Sequence, residues 1–363
     1  MDIAVLGGGN GSFAAAADFA LAGHNVRLWR RDEPAVRAHI AAGGKITLID
    51  KKGRQETTPA LITSDLAAAI KGAALIVCPA PAFAQEDIAK QIAPLLRDGQ
   101  VVYLPPGTFG SFVFANAAFR AGNKAEVAYA ETGTLPWLAR KLTAYEVRVS
   151  GRGVRLPTGV FPERLSAHAL KVIGGAFPKV IEGCGDALSG ALMNAGPIIH
   201  PPLITMNAGP IEHFEHWDIH KEGTQPAIRR VTDALDRERI AVREAFGYGY
   251  PHFPLADHYA KSGDIWMYGR NAHEEVTDSG DWREHLVLTE HRYMFEDTKI
   301  GLSLLVSFGE LAKVRTPLAR AFLAIGSAIT GEDFLVTGRT RERLGLADVS
   351  LNKVRTILKD GLK

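Results

Sequence analysis

Gly7, Gly9, Asn10, Gly11 and Ser12 follow the apolar run Ile3 to Leu6 and precede an alanine-rich stretch from Phe13 to Ala22. A strand that turns on glycines into a helix presents unpaired backbone N–H groups, and these attract phosphate. Gly7 permits the tight turn, Gly9 lets the backbone approach a pyrophosphate, and Ser12 is small enough for helix and strand to pack. The spacing is that of a dinucleotide fingerprint. Two further candidates lie far along the chain. His200 ends the run Asn194-Ala-Gly-Pro-Ile-Ile-His, precedes Pro201-Pro202, and stands out among twelve histidines because the pattern of elements changes there. An imidazole at such a place can act as general acid and base beside a hydride transfer. Arg292 and Asp297 belong to the run His291-Arg-Tyr-Met-Phe-Glu-Asp297. A carboxylate against a histidine fixes its tautomer, and a guanidinium can hold a carboxylate through two parallel hydrogen bonds.

The elements that must position these residues change character along the chain. Val26 to Trp29, Ala74 to Cys78, Val101 to Leu104, Glu126 to Glu131 and Tyr145 to Val149 read as strands, and Lys45 to Asp50 with the segment after Lys51-Lys-Gly-Arg54 as a hairpin insertion. Strands alternating with helical stretches predict an α/β fold: an N-terminal Rossmann-like doubly wound sheet over residues 1–184. Helical periodicity then takes over. Arg229 to Phe246 places Val231, Leu235, Val242 and Phe246 on one side, and Leu302 to Leu311 and Leu318 to Ile329 are further helices. Residues 185–363 are therefore expected to form an all-α C-terminal substrate domain. His200 would lie near the junction, where a cleft residue is expected.

The second strand is followed by Arg30-Arg31-Asp32. An acidic residue at this strand end binds the ribose 2′-hydroxyl of NAD, whereas an arginine accommodates the 2′-phosphate of NADP. Arg30 and Arg31 favour NADP, while Asp32 keeps NAD open. Pro79, at the end of the 74–78 strand, joins the expected cofactor set. A net charge of +2 supplies no field for nucleic acid or an anionic membrane. No run approaches the ~18 apolar residues of a span, so no membrane association is expected. The two cysteines do not make a disulfide framework, and Cys78, inside an apolar run, is expected to be buried. No charged and apolar leader precedes the first strand, and a cytoplasmic protein is expected.

These motifs carry a resemblance. Gly7-x-Gly9-Asn10-Gly11, Asn194 through His200-Pro201, Lys221-Glu-Gly-Thr224, Asp236-Arg-Glu-Arg239, Arg292-Tyr-x-Phe-Glu-Asp297, Thr316-Pro-Leu318 and Gly338-Arg-Thr340 together resemble the opine dehydrogenase family. The likeness is greatest to the bacterial N-(1-carboxyethyl)-norvaline type. It implies an NAD(P)H-dependent enzyme that joins the amine of an amino acid to a 2-oxo acid and reduces the resulting imine. His200 would be the acid/base, paired with Asp297, with Arg292 in the same site to clamp a carboxylate. Glu131 matches a family position beside the amino substrate, and its other reading is a charge at a helix N-terminus. Some relatives are dimers, so a homodimer is expected.

The stretch Glu212 to His220 departs from the family pattern. On a helix, His213, His216 and His220 would share a face with a metal spacing. The preferred reading is no metal: the stretch flanks the amino-substrate pocket, and Trp217 packs on a substrate side chain. Two alternatives remain open. One is a 2-oxo acid or ketopantoate-type reductase, with Lys171 or Lys221 as the acid. The other is a dinucleotide-binding regulatory protein without turnover, against which His200, Arg292 and Asp297 argue.

Overall fold

The computed structural model describes residues 1–260, 265, 267–269, 283 and 285–362. Contacts divide the chain into two units. The first holds Met1–Ala80, Ala84–Ala191 and the tail from Leu358; the second holds Pro81–Phe83 and Leu192–Ile357. The division thus falls seven residues beyond the expected 184/185 boundary. The cause is the helix Ala187–Ala191, which packs on the sheet of the first unit. Glycines permit that approach: a Cβ on Gly190 would stand 2.8 Å from Glu131 O and from Gly159 N.

The first unit is built on eight strands: β1 (Asp2–Leu6), β2 (Asn25–Trp29), β5 (Leu61–Thr63), β6 (Leu75–Val77), β7 (Val101–Leu104), β8 (Ala128–Thr132), β11 (Leu156–Phe161) and β12 (Ile181–Asp186). Their order is β12-β11-β8-β7-β6-β1-β2-β5, parallel except where β11 meets β8. β6 and β7, and β1 from Ile3 on, read as continuous apolar runs because helices cover both faces of such a sheet, and β8 is buried throughout although it ends in Glu131 and Thr132. The strand order reverses beside β1, so the crevice at its carboxyl end, where Gly7 lies, is the ligand position of a doubly wound sheet.

Four more strands, β3 (Ile46–Asp50), β4 (Gly53–Thr57), β9 (Trp137–Lys141) and β10 (Glu146–Arg152), form a second sheet in the order β4-β3-β10-β9. The hairpin expected from residues 45–50 and the segment after Arg54 is the antiparallel pair β3–β4, whose second strand already begins at Gly53. Residues 145–149, expected to continue the main sheet, pair instead with β3 and β9. The burial pattern gives the reason. Val147 and Val149 are buried while Arg148 between them is exposed, which suits a strand covered on one face only. Trp137 Nε1 donates to Asp18 Oδ2 at 2.8 Å, and Arg152 Nη2 to Asp18 Oδ1 at 2.8 Å, so this sheet is tied to the helix Asn10–Leu21.

The second unit is helical. The principal helices are Gly196–Met206, Pro226–Ala245, Ser303–Leu311 and Pro317–Thr330, and a π-helical segment runs from Tyr293 to Leu302. The Asp236-to-Arg239 motif has structural work here. Arg239, 3% exposed, donates to Asp236 and to the carbonyls of Leu192, His252 and Phe253. Glu238 accepts the N–H groups of Leu318 and Ala319, a carboxylate on the N-terminus of a helix. Among the described residues no helix is long and apolar enough to cross a membrane.

Candidate active site

The glycine turn begins with Gly7 at φ +128°, a conformation costly for any residue with a Cβ. A Cβ there would also stand 2.5 Å from Ser12 Oγ. Gly7 N–H donates to Trp29 O at 2.9 Å, which locks the turn to the end of β2. Gly9 is the N-cap, and no side chain caps the helix that starts at Asn10, three residues before the predicted start. A Cβ on Gly9 would meet nothing within 4 Å, so open space lies beside the exposed helix start. On Gly11 a Cβ would be 2.8 Å from Leu135 Cδ1 and 3.2 Å from Pro79 Cβ. Pro79 therefore packs on Gly11, and close approach to this helix depends on Gly11 more than on Ser12. Ser12, buried, hydrogen-bonds Leu6 O at 3.5 Å. Asn10 Oδ1 accepts the N–H of Lys141 at 3.0 Å. Uncapped N–H groups, a clear approach at Gly9 and a left-handed Gly7 fit a dinucleotide pyrophosphate.

Arg30, Arg31 and Asp32 have three different situations. Arg30 is half-buried, with its guanidinium 5.5 Å from the centroid of the Phe13 ring. Its Nη1 donates to Ala35 O at 3.3 Å, and its buried Nε has no hydrogen-bond partner among the described residues. Arg31 is exposed. Asp32 caps the helix Glu33–Ala41, its Oδ1 accepting the Ala35 N–H at 3.1 Å. The acid nearest the strand end, Asp32, thus already serves a helix N-terminus.

Glu131 lies elsewhere in the first unit, fully buried. It accepts the Phe109 N–H at 2.7 Å and the Ser111 hydroxyl, at the start of the helix Gly110–Arg120. These donors place Glu131 at a helix start, the position of the alternative reading given above.

In the second unit, His200 Nδ1 lies 2.7 Å from Asp297 Oδ2, with side-chain exposures of 17% and 8%. His200 comes from the helix Gly196–Met206 and Asp297 from the π-helical segment, whose i→i+5 bonding is rare and frequent at functional sites. The Tyr293 ring stacks on His200, centroids 3.7 Å apart and planes 12° apart. The Arg292 guanidinium lies 5.1 Å from the Tyr293 centroid, and its Nη1 is 4.0 Å from Glu296 Oε2. Half of the Arg292 side chain is exposed, so its fork remains accessible to a carboxylate.

Burial dominates the electrostatics. It lowers His200 well below the ordinary imidazole range, and the Arg292 charge adds to this. It raises Asp297 to about 7, with Arg292 opposing. Glu296 also rises to about 7, through burial first and then the Asp297 charge. The shifts share one sense: each removes charge from the buried cluster. His200 is thus held as a neutral imidazole, oriented through Nδ1, and its other nitrogen can accept a substrate proton and give it back.

Trp217 does not approach this pair through any described contact; its ring packs near Gly223, where a Cβ would be 2.9 Å from Cη2. His220 does, its ring centroid 6.0 Å from that of His200. The helix Ala208–His213 ends before His216 and His220, so the three histidines share no helix face. Among the described residues no group of three or more His, Cys, Asp or Glu is placed to hold a metal. Sequence reasoning also missed Tyr293, Glu296 and Gly196. Tyr293 and Glu296 stood within the Arg292-to-Asp297 motif, and their roles emerge only when the π-helical spacing is known.

A phosphate-ready glycine turn in one unit and a buried His–Asp pair in the other define the chain as an NAD(P)-dependent oxidoreductase. Residues 183–330 match the NAD/NADP octopine/nopaline dehydrogenase alpha-helical domain, and residues 2–105 the NAD-dependent glycerol-3-phosphate dehydrogenase N-terminus. An opine dehydrogenase of Arthrobacter sp. (strain 1C) is 30% identical over 359 residues, 97% of each chain. A vitopine synthase of Allorhizobium ampelinum is 28% identical over 95% of each. The structure of an octopine dehydrogenase in complex with NADH and agmatine superposes with a TM-score of 0.74 at 21% identity, covering 99% of this chain and 98% of that one. The chain belongs to the opine dehydrogenase family, whose members act on CH–NH groups.

Proposed function

We propose that the enzyme joins the amine of an amino acid to a 2-oxo acid and reduces the imine, using NADPH in preference to NADH. The observation that carries the reading is the 2.7 Å contact between His200 and Asp297 on a buried face. Condensation expels the carbonyl oxygen as water, and reduction adds one hydride to carbon and leaves one proton on nitrogen. The bound dinucleotide supplies the hydride. His200 Nε2 takes the proton that the ammonium must lose before attack and returns one to the departing oxygen. Asp297 holds the Nδ1 edge and stabilises the imidazolium while it exists. Tyr293 fixes the ring plane. Arg292 pairs with a carboxylate, a group that both substrates carry.

The NADPH preference is supported by Arg30 at the strand end and by Asp32 being used as a helix cap. The backbone of Gly7, Gly9, Asn10, Gly11 and Ser12 would hold the pyrophosphate, with Pro79 packed behind Gly11; exposed Arg31 is the lesser partner. In this reading the enzyme works in the cytoplasm, in keeping with two cysteines, Cys78 and Cys184, that are not joined in a disulfide, and as a homodimer, for which Ile325, Leu335 and Val336 offer exposed apolar surface. The test is NADPH oxidation across pairs of amino acids and 2-oxo acids. Oxidation that requires both partners is expected. Oxidation without the amine would instead make the enzyme a reductase of the 2-oxo acid. Folded protein that binds NADPH and oxidises it with no pair would overturn the reading.

A further inference from the structure

Two cations from different sheets meet at the glycine turn. Lys141, the last residue of β9, donates its backbone N–H to Asn10, and its Nζ lies 3.5 Å from Gly8 O and 4.0 Å from the Phe13 centroid. Arg30 reaches the same place from β2. Its guanidinium is 5.5 Å from the Phe13 centroid, and its Nε is 3.0 Å from where a Cβ on Gly8 would stand. Neither makes an ion pair among the described residues. Nearby cations of the small sheet behave differently: Arg152 pairs with Asp18, Lys45 with Glu56 and Arg54 with Glu146.

Two like charges converging without a carboxylate repel, and the repulsion is relieved when an anion enters between them. The Lys141 ammonium is lowered from its ordinary range, by burial first and by the Arg30 charge second. The arrangement is also rigid. His39 stacks on Phe13 with centroids 5.7 Å apart, and Tyr145 on His39 at 4.3 Å. Asp18 ties β9 to the helix that carries Phe13.

We infer that Lys141 is the second jaw of a clamp for the ribose 2′-phosphate of NADP(H), opposite Arg30. The pyrophosphate takes the N–H groups at Gly9 to Gly11. The two side chains instead converge on Gly8, towards the end of β2, where the adenosine ribose lies in a doubly wound fold. A lysine meets phosphate as a point charge and an arginine as a fork, so the two divide the work. The inference rests on the NADPH preference proposed above and adds a determinant from a different sheet.

Equilibrium titration of the free protein with NADPH and NADH tests it without turnover, with adenosine 2′,5′-bisphosphate and 5′-AMP as competing probes. Wild type is expected to prefer NADPH. Lys141→Met should weaken NADPH and the bisphosphate by about tenfold or more while leaving NADH and 5′-AMP within about twofold, and Lys141→Arg should recover most of the loss. Lys141→Gln, which retains a donor for Gly8 O, is the second neutral variant should the methionine disturb folding. Equal loss for NADH and NADPH, or no loss for either, overturns the role of Lys141. Wild type with equal affinities, unmoved by Arg30→Ala, overturns the underlying NADPH preference instead.

Discussion

His200 Nδ1 and Asp297 Oδ2 come within 2.7 Å because glycines stand at the contact between their two elements. Gly196, one helical turn before His200, faces Asp297: a Cβ there would collide with Oδ1 and stand 3.1 Å from Cγ. Gly301, four residues beyond Asp297, faces Pro197, whose ring a Cβ would also strike. The helix Gly196–Met206 and the π-helical segment can therefore touch backbone to side chain, and the hydrogen bond is short because the axes are close.

The pair should act as one device. His200→Ala removes the proton carrier, and kcat is expected to fall by about 10²–10⁴. Asp297→Asn keeps the shape but loses the charge that selects the tautomer, so a fall of similar order is expected. NADPH affinity, measured by equilibrium titration, should change little in either variant. The double variant should be scarcely worse than His200→Ala alone. Multiplied losses would show that the two residues work separately.

The glycines give a finer test. Gly196→Ala should push the Asp297 carboxylate aside, and kcat should fall towards the level of Asp297→Asn. Gly301→Ala presses on Pro197 instead. Each overpacks a close contact, so each should cost about 1–3 kcal/mol of stability by chemical or thermal unfolding. The distinction is in the kinetics: Gly196→Ala is expected to lose more kcat than Gly301→Ala at matched stability. Equal kinetic losses would mean that helix spacing alone matters.

Much of this is legible in the amino-acid sequence itself. The turn at Gly7 and the change from alternating to helical elements follow from local spacing, and the pairing of His200 with Asp297 from the family likeness of their motifs. What escapes the sequence has physical reasons. Strand β10 carries the same β-rich composition as a main-sheet strand, and only its one-sided burial assigns it to the small sheet. Glu131 has the residue type of a substrate partner, but its burial against the Phe109 N–H depends on how the helix Gly110–Arg120 meets β8. The histidines at 213, 216 and 220 share a face only on a continuous helix, and the helix stops at His213. Lys141 and Phe13 lie on elements far apart in sequence, so nothing local joins them.

Glu296 provides a pH test with a definite sign. Its carboxyl rises to about 7, through burial and the neighbouring Asp297, while Oε1 accepts the Ala82 N–H at 3.1 Å. The folded protein therefore holds a proton between about 4.5 and about 7 that the unfolded chain has released. Stability from this group is full below the unfolded value and is lost as pH rises through about 7. Glu296→Gln keeps an acceptor for Ala82 and removes the titration. Relative to wild type, the variant should gain stability between about pH 5 and pH 8, by on the order of 1–3 kcal/mol. Parallel Tm profiles across that range would refute the shift.

Asp32 separates a cap from a ribose ligand. Its Oδ1 accepts the Ala35 N–H at 3.1 Å, and the same turn gives Arg30 a carbonyl partner in Ala35 O. Asp32→Ala should cost about 1 kcal/mol of stability, the usual cost of losing an N-cap. If the carboxylate is committed to the helix, NADH affinity should stay within about twofold, since the variant removes no ribose contact. Arg30→Ala should act in the opposite way, leaving the helix start intact and weakening NADPH against NADH. The two variants thus exchange effects between thermal unfolding and cofactor titration. A large loss of NADH affinity in Asp32→Ala would return the acid to the ribose and with it the preference to NAD.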